Sequence, residues 1–278
     1  MNNKVVVITG STKGIGLSMA KYLAEEGASV VINGRNKERV AATVDELKTI
    51  HNRIYGVCES VDNEKGCKRI IDETIKTFGR IDVLVNNAGV VQDRISYKME
   101  EQEWDQVIET HLRGTFACTK YAVLAMRELE IEGTIVNMTS KSGMEGLPGQ
   151  LNYSAAKSGI NGMTYTLSKE LNRFGISVYA IAPVAETDMT RPVIHMLQKK
   201  ADEKGIPLPK EWQMGSPDDV GMLLLALLQE KPETGSIYSV NGEKIGKWHP
   251  PVHEPLHDSD DTKDRSIHES FLQIRSKK

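Results

Sequence analysis

The chain has 278 residues, 26% of them charged and 39% hydrophobic, with a formal net charge of −3 and a pI near 6.2. That length suits one α/β domain with an appendage, and the interspersed acids and bases leave no footprint for nucleic acid or an anionic membrane. No apolar run approaches the roughly 20 residues of a membrane span, and Cys58, Cys67 and Cys118 are an odd, scattered set that argues against a disulfide framework and has no metal-ligand spacing.

In chain order, strands are predicted near residues 4–9, 29–33, 54–58, 81–86, 134–139, 176–182 and 236–240. The first begins at Lys4, so no signal peptide is expected and a cytoplasmic location is. Between the strands, apolar residues repeat at helical spacing. Ile15, Met19 and Leu23 mark one face, Val40, Val44 and Leu47 the next, and Ile70, Ile71 and Ile75 a third. Longer helices are predicted over about 102–128 and 151–173. Strands alternating with such helices imply crossover units. The expected fold is a single Rossmann-type, doubly wound α/β domain over residues 1–248: a parallel sheet of about seven strands with helices on both faces. Residues 186–216, with Pro192, Pro207 and Pro209, read as a lid-like insertion after a strand.

Residues 249–278 read as a C-terminal extension. His249, His253 and His257 recur every four residues, but Pro250, Pro251 and Pro255 interrupt any continuous helix, so no metal site is expected. Ser266 to Glu269 has the form of a capping box. Ile267, Phe271 and Ile274 then share a face of a helix too short to stand alone. If it forms, such a helix has to dock, on its own subunit or, as is favoured, as an arm on a partner's; the alternative is a frayed tail.

The first chemical motif is Thr9-Gly10-Ser11-Thr12-Lys13-Gly14-Ile15-Gly16, between the first strand and the first helix. Glycines there let the backbone approach a pyrophosphate, which rests on the positive helix N-terminus. Gly10, Ser11, Lys13, Gly14, Ile15 and Gly16 are therefore candidate dinucleotide-binding residues. The second strand ends Val31-Ile32-Asn33-Gly34-Arg35, with no carboxylate to bond an adenosine ribose. Arg35 suits a 2′-phosphate instead, and Lys13 offers a second positive charge. The expected cofactor is NADP(H).

The second motif is Tyr153-Ser154-Ala155-Ala156-Lys157. On a helix, i and i+4 share a face. An ammonium beside a phenol favours the phenolate and lowers its pKa, which makes Tyr153 a usable acid or base. Together, the glycine turn, Asn86-Asn87-Ala88-Gly89 after the fourth strand, Ser140 after the fifth, and Tyr153 and Lys157 thirteen and seventeen residues later resemble the short-chain dehydrogenase/reductase family over about residues 3–245. The resemblance implies that Ser140 holds the substrate oxygen, that Lys157 also grips the nicotinamide ribose, and that Asn87, Ala88 and Gly89 line the cofactor cleft. Tyr153, Val61 and Thr187 join the cofactor-binding set. Family members are commonly dimers or tetramers, so a homodimer or homotetramer is expected.

Four departures from the family stand out. His111 occupies the place of a tetrad asparagine, where it either relays protons, through one ring nitrogen or by titrating near neutrality, or is a core histidine satisfied by a backbone bond. The loop Pro183-Val184-Ala185-Glu186-Thr187 lacks a glycine and is one residue short. Ser60 stands where an aspartate usually bonds the adenine. Residues 249–278 run past the usual end of the fold.

The expected reaction is hydride transfer between nicotinamide and a small hydrophobic ketone or secondary alcohol. The pocket wall is expected to combine Met144, Leu147, Leu151, Val184, Met189, Val193, Met196, Trp212 and Met214. The subgroup most resembled is the 3-oxoacyl-carrier-protein reductases. That alternative ranks second because the stretch Arg127 to Glu132 is net acidic and Arg173 only partly supplies the cationic patch an acidic carrier needs. A second alternative is an NADP(H)-binding sensor without turnover.

Overall fold

The computed structural model describes residues 1–188, 190–203, 205–207 and 213–252. The first compact unit is Met1–Trp248. It alternates β1 (Val5–Ile8), α1 (Gly14–Glu25), β2 (Ser29–Gly34), α2 (Lys37–Lys48), β3 (Ile54–Cys58), α3 (Glu64–Phe78) and β4 (Val83–Asn86). After β4 come α4 (Glu101–Ile108), a π-helical turn (Glu109–Arg113), α5 (Gly114–Glu128), β5 (Thr134–Met138) and α6 (Ser142–Glu145). The unit closes with α7 (Leu151–Leu171), β6 (Ser177–Pro183), α8 (Arg191–Glu203), α9 (Pro217–Glu230), β7 (Ile237–Asn241) and β8 (Lys244–Trp248). The second unit is His249–Lys278; its described residues, 249–252, are exposed.

The sheet runs β3-β2-β1-β4-β5-β6-β7-β8. Its first seven strands pair in parallel and β8 pairs antiparallel to β7. The order reverses between β1 and β4, and an open α/β sheet has its ligand crevice at such a switch, outside the carboxyl ends of the strands. Helices cover both faces. On one, Met19 and Leu23 of α1 and Leu224 of α9 pack with Val6, Val30 and Val136. On the other, Ile70 and Ile71 of α3 and Met126 of α5 pack with Val7, Leu84 and Ile135. Strands buried on both faces explain the apolar runs that stand in place of alternation.

Local chemistry sets the helix boundaries. Asn36 and Asn63 cap α2 and α3 by accepting backbone N–H bonds at 2.7 and 2.9 Å. Ser216 and Asp219 form a capping box at α9, with Pro217 in the first turn. These satisfy amide donors that have no partner inside the helix. The eighth strand was not expected. It returns through a two-residue turn, Gly242-Glu243, with Lys244 opposite Asn241. A glycine with positive φ at the first turn position is a hairpin signal that the polar composition of β8 obscures.

Candidate active site

The carboxyl ends of β1, β2, β4, β5 and β6 open into one cleft of about 650 Å³. Its floor is the glycine turn. Gly10 has φ +62°, and a Cβ there would lie 2.8 Å from the Ala88 Cα, so only glycine lets the turn close on the loop after β4. Asn87 locks that approach. Its side-chain amide donates to the Thr9 and Gly10 carbonyls at 2.9 and 3.0 Å. Ala88 donates its N–H to the Thr9 hydroxyl at 3.0 Å.

The predicted cofactor residues fall in two groups. Gly10, Lys13, Gly14, Ile15, Gly16, Arg35, Val61, Asn87, Ala88, Gly89, Tyr153, Lys157 and Thr187 all line the cleft. Ser11 instead braces the turn from inside. Its buried hydroxyl donates to the Ile8 carbonyl at 2.7 Å and accepts from the Asn33 N–H at 3.0 Å. Within the first group, the Lys13 ammonium is 3.5 Å from Asp188.

Sequence reasoning missed Asn33. Its side chain accepts from the Gly10 N–H at 3.2 Å and donates to the Val57 and Glu59 carbonyls at 3.1 and 3.0 Å. It thereby joins the glycine turn to the ends of β2 and β3. A Cβ on Gly34 would lie 2.8 Å from the Thr12 methyl, so the packing itself keeps a carboxylate off the tip of β2. Ser60, at the family's aspartate position, lines the cleft. The shortened loop keeps Thr187 on the cleft by tying it back on both sides. Thr187 donates its N–H to the Thr190 hydroxyl at 2.8 Å, and Glu186 donates its N–H to the Gly215 carbonyl at 2.8 Å.

The catalytic candidates converge at the end of β5. Tyr153 and Lys157 stand one turn apart on α7. The Ser140 hydroxyl lies on the Tyr153 side of the site, where it favours the ionised phenol, and it accepts from the Ser142 N–H at 3.2 Å. Lys157 is buried; its ammonium donates to the Met138 carbonyl at 2.6 Å and lies 5.4 Å from the centre of the Tyr153 ring. Burial pushes the phenol up to about 12 against the opposing effect of the Ser140 hydroxyl. Burial also brings the lysine down to about 7. This corrects the expectation that Lys157 pulls the phenol below its usual value: loss of solvent disfavours both charges, and the ammonium is directed at a carbonyl.

His111 lies in the π-helical turn and is buried. Its Nε2 is 2.7 Å from the Val90 carbonyl oxygen and 3.0 Å from the Val90 amide nitrogen. Its ring stands edge-on to Tyr153, with centroids 5.2 Å apart, and fills the space where a Cβ on Gly89 would go. Burial, with the nearby Lys157 charge, holds its pKa down at about 3. His111 is therefore neutral across the physiological range, and titration near neutrality is not available to it. Its Nδ1 has no partner among the described residues.

Of the expected apolar wall, Leu147, Leu151 and Met196 are exposed. The apolar residues on the cleft are Ile15, Val61, Ala88, Val90, Val91, Met138 and Pro183. Met189, Trp212, the side chain of Val193, His253, His257 and the segment 266–275 lie outside the described residues. No group of three or more metal-ligating side chains occurs among the described residues, and none of the described helices is long and apolar enough to cross a membrane.

Comparison with known proteins fits this geometry. Residues 4–198 match the family model for short chain dehydrogenase. The 3-oxoacyl-(acyl-carrier-protein) reductase FabG of Staphylococcus epidermidis is 38% identical over 244 residues, covering 86% of this chain and 98% of that protein. Its Thermotoga maritima counterpart is 35% identical over 245 residues, covering 87% and 98%. BbsD of Thauera aromatica, a subunit of a hydroxy(phenyl)methylsuccinyl-CoA dehydrogenase, is 38% identical over 244 residues, covering 87% and 96%. Among solved structures, a short chain dehydrogenase from Mycobacterium avium matches with a TM-score of 0.84 and 31% identity, over 99% of this chain and 94% of that one.

Proposed function

The chain belongs to the short-chain dehydrogenase family, and from that premise we propose that it is an NADP(H)-dependent oxidoreductase for a 3-oxoacyl thioester and its 3-hydroxy counterpart. That it is an oxidoreductase acting on a CH–OH/C=O pair follows from the family. The observation that carries the chemistry is Tyr153 and a buried Lys157 one turn apart on α7, with the Ser140 hydroxyl acting on the phenol.

The residues fit a nicotinamide dinucleotide: a glycine turn where a Cβ would collide, a helix N-terminus behind it, and a cleft running from Arg35 to Tyr153. Gly14, Ile15 and Gly16 would meet the pyrophosphate, Arg35 the adenosine end, and Lys157 and Thr187 the nicotinamide end. When bound, the nicotinamide supplies or accepts the hydride. Tyr153 donates its phenolic proton to the substrate carbonyl oxygen, and Ser140 donates a hydrogen bond to that same atom. Two donors aimed at one oxygen stabilise the charge that develops there. The phenolate left behind is favoured by the neighbouring Lys157 ammonium and recovers a proton from solvent. In the oxidative direction, Tyr153 takes the hydroxyl proton.

For the substrate, the relatives support the thioester, which sequence reading ranks second, better than a free ketone. A 3-oxoacyl-(acyl-carrier-protein) reductase and a succinyl-CoA-type dehydrogenase both act on acyl thioesters. Arg127 and Arg173 both stack on Phe174, at 4.3 and 4.7 Å, which gathers two cations for an acidic carrier. The sensor reading gains nothing from a complete Ser140, Tyr153 and Lys157 set. Trp104 on α4, with Phe116 and Leu124 on α5, is apolar yet exposed, in keeping with a homodimer or homotetramer.

The test is NADPH oxidation with acetoacetyl-CoA, acetoacetyl-carrier protein and a panel of free ketones, alongside a cofactor titration and light scattering. Thioesters should give the higher kcat/KM by at least about tenfold. Free ketones equal to or better than both thioesters would overturn the substrate class. Binding without oxidation of any substrate would return the sensor reading.

A further inference from the structure

The loop after β4 is fastened to the start of α7, close to the candidate catalytic groups. Asn152 is buried and donates its side-chain amide to the Gln92 and Glu103 carbonyls, each at 3.0 Å. Arg94 donates its N–H to the Gly149 carbonyl at 2.8 Å. Between these ties a series of side-chain bonds runs toward Ser140. The Gln150 amide donates to the Asp93 carboxylate at 2.9 Å. The Gln150 side-chain oxygen accepts from the Ser142 hydroxyl at 2.9 Å. Ser142, buried in α6, donates its N–H to the Ser140 hydroxyl oxygen at 3.2 Å. The Asp93 charge also reaches the Tyr153 phenol, where it adds to burial in disfavouring ionisation.

A carboxylate only accepts hydrogen bonds, so Asp93 fixes which end of the Gln150 amide faces it. The other end, an acceptor, then faces Ser142. A hydroxyl has one proton and two lone pairs. The Ser142 N–H occupies one lone pair of Ser140 and leaves its proton for another acceptor. We propose that Asp93 and Gln150 are positioning residues for the reaction: through Ser142 they hold Ser140 as a donor to the substrate oxygen. The inference rests on the reading of Ser140 as that donor and deepens it.

The test is a double-mutant cycle on the full chain. It follows NADPH oxidation by acetoacetyl-CoA or, if that is inert, by the fastest free ketone, with NADPH binding by calorimetry and Ser142 amide exchange by NMR. Gln150→Met keeps the length of the side chain and removes both of its bonds. It should lower kcat by about tenfold, within the range for lost hydrogen bonds, while KM and NADPH affinity stay close to parental and the Ser142 amide exchanges faster. Asp93→Ala should follow it. Asp93→Asn, which retains an acceptor oxygen, should recover most of the loss. In a Ser140→Ala background Gln150→Met should cost little more, because the hydroxyl it positions is gone. An equal cost in both backgrounds, a parental kcat in Gln150→Met, or unchanged Ser142 exchange would overturn the positioning role and leave the Ser140 reading standing. Near-parental turnover in Ser140→Ala would overturn that reading and the inference with it. Should Gln150→Met fail to fold, Asp93→Ala, at the exposed end of the series, completes the same cycle.

Discussion

The Lys157 ammonium donates to the Met138 carbonyl at 2.6 Å, so the last residue of β5 holds from behind the charge that serves Tyr153. The lysine is buried, and its pKa falls from 10.5 to about 7. Its proton is therefore bound more weakly in the folded chain than in the unfolded one. Between pH 10.5 and about 7, stability falls as pH falls, and below about 7 the full penalty is present. That penalty is on the order of 5 kcal/mol.

Lys157→Met should therefore stabilise the fold at pH 6 while abolishing turnover. The orphaned Met138 carbonyl costs about 1–3 kcal/mol, less than the charge that is removed. Melting temperatures at pH 6 and pH 10 check this. The gain should be present at pH 6 and vanish or reverse at pH 10. A loss at pH 6, or an equal gain at both, would contradict the assignment.

Tyr153→Phe keeps the ring against His111 and removes the transferable proton. Turnover should fall by about 10² or more, while NADPH still binds. Near-normal turnover would remove the phenol from the mechanism.

Tyr153 is protonated throughout the neutral range, because burial pushes it up to about 12. Its acid form is ready for carbonyl reduction, whereas oxidation needs the phenolate. The oxidative rate should rise with pH from 7 to 10. The reductive rate should fall as Lys157 loses its charge above about 7. Stopped-flow rates in both directions measure this, and parallel pH profiles would count against it.

His111 is neutral down to about pH 3, so it contributes no ionisation near neutrality. His111→Asn should leave the pH–rate profile unchanged. His111→Ala should lower both kcat and stability, since the Val90 peptide loses its partner. An ionisation between pH 6 and 7 that is present in the parent and disappears in both variants would make His111 a titrating relay after all.

Gly89 and His111 should show strong coupling. Gly89→Ala drives a methyl into the imidazole and should destabilise by about 1–3 kcal/mol. In a His111→Ala background that cost should largely disappear. A double-mutant cycle in urea measures the difference; additive effects would mean that the ring moves aside freely.

The order of elements, the parallel sheet, the glycine turn and the Tyr153/Lys157 pair were legible in the chain because each rests on local spacing: apolar runs, a period of 3.6, and glycines between a strand and a helix. Other features arise only when distant segments meet. The burial that pushes Tyr153 up and brings Lys157 and His111 down comes from the packing of α7 against β5 and the π-helical turn, and no pair spacing records it. Ser11 looks like a cofactor ligand beside its glycines, yet the approach of β2 turns its hydroxyl inward to Ile8 and Asn33. Lys13 is a cation in the right motif, but the loop after β6 brings Asp188 to it. Sequence determined which groups are present and how neighbours are spaced; tertiary structure decided their solvation and partners, because both depend on segments far apart in the chain.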